Sequence, residues 1–322
     1  MKAAIIRRYG APKVFQHENL PDISPRANEI KIKVMASSVN PVDFKTRSGS
    51  IFFLSSFKFP KILGSDFSGI IVECGAEVKD VRVGDEVFGF TNAVTEGGAY
   101  GEFLCIDRSR IARKPTNLSF LEAAVIPLAG STAYQGLVTL GRIKSGMRIC
   151  VIGATGGVGH FAVQIAKSMG CHVTGVCHSN NAELAQRFGC DEVVPYDRID
   201  FRAINQFFDL IFDSAGKLGY ARSRHRLELQ GSFISTIPSL ATVLLPRLPS
   251  RVKGRQVRHF WAHSNSVDLQ FLAELCEQKL LQPYIEHHFP IAQIDLAHEL
   301  SESGRVRGKI AIEVNHSAAD PS

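Results

Sequence analysis

The sequence has no apolar run approaching the roughly 20 residues that cross a bilayer, which excludes a transmembrane helix. It has no CxxC pair. Its seven cysteines (Cys74, Cys105, Cys150, Cys171, Cys177, Cys190 and Cys276) are odd in number and scattered. That pattern argues against a disulfide framework and against zinc held by cysteine pairs. Cys150 and Cys177 fall in predicted strands, where a reduced thiol packs as a small hydrophobe. No internal repeat or low-complexity linker is present. The opening MKAAIIRRYG lacks the apolar core and small-residue cleavage site of a signal peptide. It reads as a strand, so a cytosolic (cytoplasmic) protein is expected; any targeting segment would have to lie upstream of Met1. Charge is nearly balanced, at net +6. The clearest basic cluster, Arg247 to His263, reads as a solvated loop leading into a strand rather than as a nucleic-acid surface. A modest positive field also suits an anionic cofactor.

What is there begins with length. The chain has 322 residues, enough for two ordinary domains. The first ~120 are strand-like and punctuated by glycine: EIKIKVMASSVN alternates, and FSGIIVECG and GDEVFGF follow after turn residues. The texture changes near Asn117. SFLEAAVIPLAGSTAYQGLVTL has helical periodicity, and Ser119–Glu122 has capping-box spacing. Strands and helices then alternate. RICVIG leads into a helix over 157–169, and CHVTGVC into NAELAQRFG, a helix that Asn180 is placed to cap. EVVPY, FDLIFD and GSFISTI read as further strands. Short apolar strands between helices predict a parallel sheet covered on both faces. The end holds helices over 267–279 and 291–303, the strand KIAIEV, and a frayed tail NHSAADPS.

The strand RICVI feeds GATGGVG, and a helix follows. That context turns a weak glycine pattern into a dinucleotide fingerprint. In GxGxxG register the positions are Ala154, Gly156 and Gly159, so alanine replaces the first glycine. Gly156 lets the backbone approach a pyrophosphate, and Gly159 lets the helix pack on the sheet. The turn Ala154, Thr155, Gly156, Gly157, Val158, Gly159 is expected to meet the phosphates with its N–H groups. About 20 residues on, an NAD enzyme usually carries a carboxylate for the ribose 2′-OH. GVCHSNN, Gly175 to Asn181, has none. Ser179, Asn180 and Asn181 offer neutral donors and His178 a possible charge, so NADP (NADPH) is the expected cofactor.

The order and spacing of NPVDFKTRSG, LGSDFSGIIVECG, VGDEVFGF, GSTAYQGL, GATGGVG, DEVVPY and ESGRVRGKIAIEV carry a family resemblance. The chain resembles the medium-chain dehydrogenase/reductase superfamily, in its zinc-free quinone oxidoreductase branch, which includes zeta-crystallin and enone-reductase-like members. The resemblance implies an α/β fold: a GroES-like β-rich catalytic domain over 1–121 and 263–322, and a Rossmann domain with a doubly wound parallel sheet over 122–262. It places the active site in the cleft between them. In zinc relatives the metal is held at positions that here are Asn40, Ser65, Asp66 and a residue near Leu128, and Cys105 stands alone where a four-cysteine lobe would be. No metal is therefore expected. Without a Lewis acid, alkoxide formation is hard, whereas a quinone or α,β-unsaturated carbonyl accepts hydride directly.

The resemblance also implies site residues. Asn40 would orient the nicotinamide ribose or a substrate oxygen. Lys45, where bacterial quinone oxidoreductases commonly have tyrosine, would hydrogen-bond or protonate the enolate. Thr132 completes the catalytic set and, with Ser131, would contact the nicotinamide. Tyr196 would flank the adenosine 2′-phosphate. A phosphate-binding lysine of relatives falls at Ala182, so Lys309, with Arg305 nearby, is expected to substitute. Ser214 and the strand end STIPS would approach the cofactor through their backbones. Asp43 is read as holding a helix or turn N-terminus, and the adjacent His287 and His288 as no metal pair. The leading expectation is an NADPH-dependent quinone or enone reductase. The alternatives are a 2-alkenal or enone reductase inactive on quinones, and a non-catalytic NADPH-binding redox sensor or nucleic-acid binder. A homodimer is expected through a Rossmann sheet edge formed by VRHFWAHS.

Overall fold

The computed structural model describes residues 1–54, 58–236, 250–252 and 254–315. Parts of the Arg247–His263 cluster and of SIFFLSSFKF (50–59), nearly all of the 239–251 loop, the last residues of STIPS and the 316–322 tail lie outside them. The chain divides into two compact units: Met1–Leu128 with His263–Lys279 and Pro283–Ser322, and Ala129–Ala262 with Leu280–Gln282. No helix is long and apolar enough to cross a membrane among the described residues.

The first unit is built on antiparallel β-structure. Its main sheet runs β16 (Ile285–Pro290), β17 (Lys309–Glu313), β3 (Glu29–Val39), β5 (Asp66–Cys74), β6 (Glu86–Phe90), β8 (Ile111–Arg113), and β7 (Phe103–Asp107) also pairs with β3. A small sheet adds β2 (Phe15–Asn19), β1 (Lys2–Ile6) and β4 (Lys61–Ile62). Alternation along β3 sends Ile30, Ile32 and Val34 into a core with Phe67, Val87 and Leu104. The intervening Lys31 is also buried. Its ammonium bonds Asp22 at 2.8 Å and lies 4.9 Å from the Phe103 ring centre. Helices α1 (Pro41–Ser48), α2 (Phe120–Ala124), α7 (Ser266–Glu277) and α8 (Ile294–Glu302) complete the unit. Because α2 packs on β3 and β5, the unit extends past residue 121 to Leu128.

The long helical pattern after Asn117 is interrupted. α2 ends at Ala124, and α3 (Pro127–Tyr134) begins on a proline, after which a π-helical turn covers Gln135–Leu140. Pro127 has no N–H and biases Ile126 away from helix, so one helix becomes two. The Ser119 capping box forms as expected: the Glu122 N–H donates to the Ser119 hydroxyl, and the Ser119 N–H to the Glu122 carboxylate at 2.9 Å.

The second unit holds a seven-stranded sheet in the order β11 (Glu192–Pro195), β10 (His172–Cys177), β9 (Arg148–Ile152), β12 (Phe208–Asp213), β13 (Leu227–Ser235), β15 (Arg255–His259), β14 (Ser250–Val252). All pairs are parallel except β14–β15. Helices α4 (Gly159–Ser168), α5 (Ala182–Arg187) and α6 (Gly219–Ser223) belong to it. The chain winds outward from β9 through β10 to β11, then crosses to β12 and winds the other way. β9 and β12 therefore flank a topological switch point, where open α/β sheets bind ligands. Gln164 on α4 exchanges two hydrogen bonds with the Gln282 backbone, at 3.0 and 2.8 Å, which explains why Leu280–Gln282 joins this unit.

Two local expectations are corrected. β14 lies outside β15, so VRHFWAHS is not the sheet edge. Asn180 does not cap α5. It sits inside a 3-10 turn, Ser179–Asn181, whose His178 ring accepts the Asn180 N–H at 3.2 Å.

Candidate functional site

In the first unit the site starts where β3 ends. Asn40 leaves β3 in extended geometry and Pro41 opens α1, a position that tolerates its missing N–H. The Asp43 carboxylate reaches back to the Asn40 N–H at 2.8 Å and receives the Ser65 hydroxyl at 3.1 Å. Burial pushes the Asp43 carboxyl up to about 7; the Asn40 N–H opposes that rise and the nearby Asp66 charge adds to it. Farther along α1, Arg47 is buried against Glu302 of α8, which ties the helix down. Tyr100 anchors the end of β3 from below. Its hydroxyl donates to the Ser38 carbonyl at 3.3 Å and lies 3.0 Å from His298 Nε2. Burial holds that imidazole down to about 3, so it stays neutral.

Asn40 is only 4% exposed and its amide is engaged at both ends. Nδ2 donates to Asp66 Oδ2 at 2.8 Å, and Oδ1 accepts from Lys309 Nζ at 2.5 Å. The remaining Nδ2 contacts, to the Ser38 and Ser65 hydroxyls, are both 3.3 Å. Asp66 is saturated: Oδ1 accepts the Leu128 N–H at 2.7 Å, and Oδ2 accepts Ser38 Oγ at 2.6 Å and faces Lys309 Nζ at 3.4 Å. Sheet register produces the arrangement. β17 pairs with β3 so that Ile310 lies opposite Val39, which puts Lys309 beside Asn40. Lys309 is 3% exposed. The expectation that it reaches a cofactor phosphate is therefore corrected: its ammonium is spent inside the first unit, on Asn40 and Asp66. Lys45 lies half-buried on α1, in the helix that Asn40 and Asp43 start.

In the second unit, the glycine turn lies at the end of β9, beside the switch point. A Cβ at Gly159 would stand 1.9 Å from the Gly153 carbonyl, so only glycine fits. The Ala154 N–H is used on the Val176 carbonyl and the Gly156 N–H on Gly153, which withdraws both from the expected phosphate donors. The N–H groups of Thr155, Gly157, Val158 and Gly159 find no backbone acceptor among the described residues. They form the cradle that α4 begins. Ser131 and Thr132 lie on α3, and Ser131 Oγ is buried with no hydrogen-bond partner. An orphaned buried hydroxyl and a cradle of unpaired N–H groups both fit a bound dinucleotide. Ser214 is committed elsewhere. Its N–H and hydroxyl both donate to the Ile152 carbonyl, at 3.2 and 2.7 Å, and bind β12 to β9.

At the ends of β10 and β11, Ser179, Asn180 and the exposed Tyr196 stand as neighbours, with the His178 and Tyr196 rings edge to face. The absence of a carboxylate from Gly175 to Asn181 does not leave this end uncharged. Asp197, just past β11, bonds the Ser179 N–H and hydroxyl, both at 2.7 Å. Parallel pairing of EVVP with HVTGVC is the signal that would have located it. Lys309 had no comparable local signal.

Two family models match the chain: an alcohol dehydrogenase GroES-like domain over residues 26–116 and a zinc-binding dehydrogenase domain over 188–312. The mitochondrial NAD(P)H oxidoreductase RTN4IP1 of Bos taurus is 30% identical, covering 98% of this chain and 89% of its own. The 2-methylene-furan-3-one reductase of Solanum lycopersicum is 31% identical, covering 97% and 79%. The quinone oxidoreductase structure from Coxiella burnetii superposes with a TM-score of 0.89 at 32% identity, covering 98% and 99%. Zinc, implied by one of those descriptions, does not fit the residues present. Asn40 Oδ1 and Asp66 Oδ2 already face an ammonium, Ser65 offers a neutral hydroxyl, and Leu128 contributes an N–H that a cation would repel. The matched domains, the glycine-turn sheet and these relatives agree: the chain belongs to the medium-chain dehydrogenase/reductase superfamily, in its quinone oxidoreductase-like branch.

Proposed function

We propose that this protein is a zinc-independent NAD(P)H oxidoreductase that delivers hydride to a quinone or an α,β-unsaturated carbonyl. The observation that carries the reading is the buried ammonium of Lys309 between Asn40 Oδ1 and Asp66 Oδ2. A site with its own fixed cation has no place for a Lewis acid, and acceptors already electrophilic need none. Relatives named as quinone oxidoreductases and as a furanone reductase support the same acceptor classes.

A nicotinamide dinucleotide, when bound, would supply the hydride. Thr155, Gly157, Val158 and Gly159 would hold its pyrophosphate through their N–H groups, and Ser131 Oγ and Thr132 would hold the nicotinamide end. Asn40 would turn the Nδ2 hydrogen it shares between the Ser38 and Ser65 hydroxyls, both at 3.3 Å, onto a ribose or acceptor oxygen, in an orientation set by Asp66 and Lys309. Lys45 donates a hydrogen bond to the enolate or phenolate oxygen as charge develops there. Coenzyme choice rests on the end of β10. There the neutral Ser179 and Asn180, with Tyr196, suit the 2′-phosphate of NADPH, and Asp197 opposes it. Unpaired thiols suit a reducing compartment, and the cytosol is the one proposed. A homodimer is also proposed, with β14, the outermost described strand on its side of the sheet, as the contact; a monomeric mass by light scattering at micromolar concentration would end that idea.

The test is oxidation of NADPH and of NADH with phenanthrenequinone and, separately, an alkenal, each with and without EDTA. Turnover of the quinone unchanged by chelator is the expected result. Turnover of the alkenal alone moves the reading to an enone reductase, and the Lys45→Met loss of kcat then identifies the hydrogen-bond donor. Activity abolished by EDTA and restored by zinc would reject the metal-free chemistry.

A further inference from the structure

β10 and β11 are parallel neighbours with Cys177 opposite Pro195, so the residues just past each strand meet. The Tyr196 N–H donates to the Cys177 carbonyl at 3.0 Å. The next residue, Asp197, turns its carboxylate onto Ser179, accepting the N–H on Oδ1 and the hydroxyl on Oδ2, each at 2.7 Å. His178 Nε2 lies 3.8 Å from Oδ2 and Arg198 Nε 4.0 Å. The Ser179 hydroxyl holds the Asp197 carboxyl below its ordinary range, so it remains an anion through neutral pH.

The carboxyl end of this second strand is where a dinucleotide fold receives the adenosine ribose. A 2′-phosphate there needs N–H and O–H donors and positive charge; a 2′-OH needs an acceptor. The Ser179 donors that would receive a phosphate are already taken by an anion from the chain itself. A phosphate must displace Asp197 or lie beside a like charge, and either weakens binding. A 2′-OH can donate to the carboxylate without disturbing it.

We propose that Asp197 decides the coenzyme: it stands in for the 2′-phosphate on Ser179, so NADPH binds no more tightly than NADH. The proposal rests on the dinucleotide site of the reading above. It departs from the NADPH preference expected from the neutral side chains of the second strand alone.

Titration of the intact protein with NADPH and with NADH, followed by nicotinamide fluorescence, tests it without turnover. The unaltered protein is expected to bind NADH at least as tightly. Asp197→Asn and Asp197→Ser are expected to tighten NADPH by about tenfold while NADH changes by less than about threefold. Asp197→Glu, which keeps the charge, should leave the ratio near its starting value. An unaltered protein preferring NADPH about tenfold, neutral variants with an unmoved ratio, or a glutamate variant that moves as far as asparagine would each overturn the assignment. Binding of neither dinucleotide would overturn the cofactor site itself, a failure distinct from an unmoved ratio.

Discussion

The glycine turn of the second unit and the Asn40 cluster of the first are built in opposite ways. The turn is one contiguous stretch, Gly153 to Gly159, and works through its backbone. The cluster draws side chains from the end of β3, the start of α1, the start of β5 and the start of β17; Lys309 lies 269 positions from Asn40 in sequence. The turn needs small residues so that nothing intrudes. The cluster needs opposite charges brought together without water. The difference implies different failure modes: steric for the turn, electrostatic for the cluster.

The largest effect is expected where the cluster loses its cation. Lys309→Met leaves the Asp66 carboxylate buried beside Asn40 without its counter-charge, and a loss of about 3–5 kcal/mol in urea unfolding is expected. Adding Asp66→Asn to it should recover much of that loss. A double variant no more stable than the single would show that the pair does not act as an electrostatic unit.

Asp43 sharpens the electrostatic side next. Its carboxyl is raised from 3.8 to about 7 in the folded protein, so the folded state holds a proton that the unfolded state has released. Its contribution is fully present below about pH 4 and is lost as pH rises to about 7, with a slope of up to roughly 1.4 kcal/mol per pH unit. Asp43→Asn should flatten this part of the urea-midpoint profile between those limits. An unchanged profile would remove Asp43 from the charge balance.

On the steric side, Gly159→Ala places a methyl against the Gly153 carbonyl. About 1–3 kcal/mol of stability and most dinucleotide binding should be lost together, read by thermal melting and by titration. Tight binding in that variant would break the cradle assignment. The smallest effect is local. Ser119→Ala removes one capping bond of α2 and should cost about 1 kcal/mol without changing turnover.

Legibility in the sequence followed the same divide. The Ser119 capping box, the glycine turn and the strands on either side of it are set by residues within a few positions of one another, and each formed where it was expected. Pro127 was also visible, yet the pattern around it read as a single helix because apolar spacing continues across the break. Lys309 read as a phosphate ligand because nothing in RGKIAI shows that β17 lies against β3. Asp197 was missed because only strands compared side by side bring DEVVPYD to the end of CHVTGVC.

The sequence by itself determined the parallel sheet and the glycine turn between its first strand and helix, because each depends on residue type and short-range spacing. Only the tertiary structure decided that Lys309 serves Asn40 and Asp66 instead of a phosphate, and that Asp197 occupies Ser179. Those two outcomes turn on which strands pair and in what register, and register is fixed by long-range packing, to which local spacing is blind.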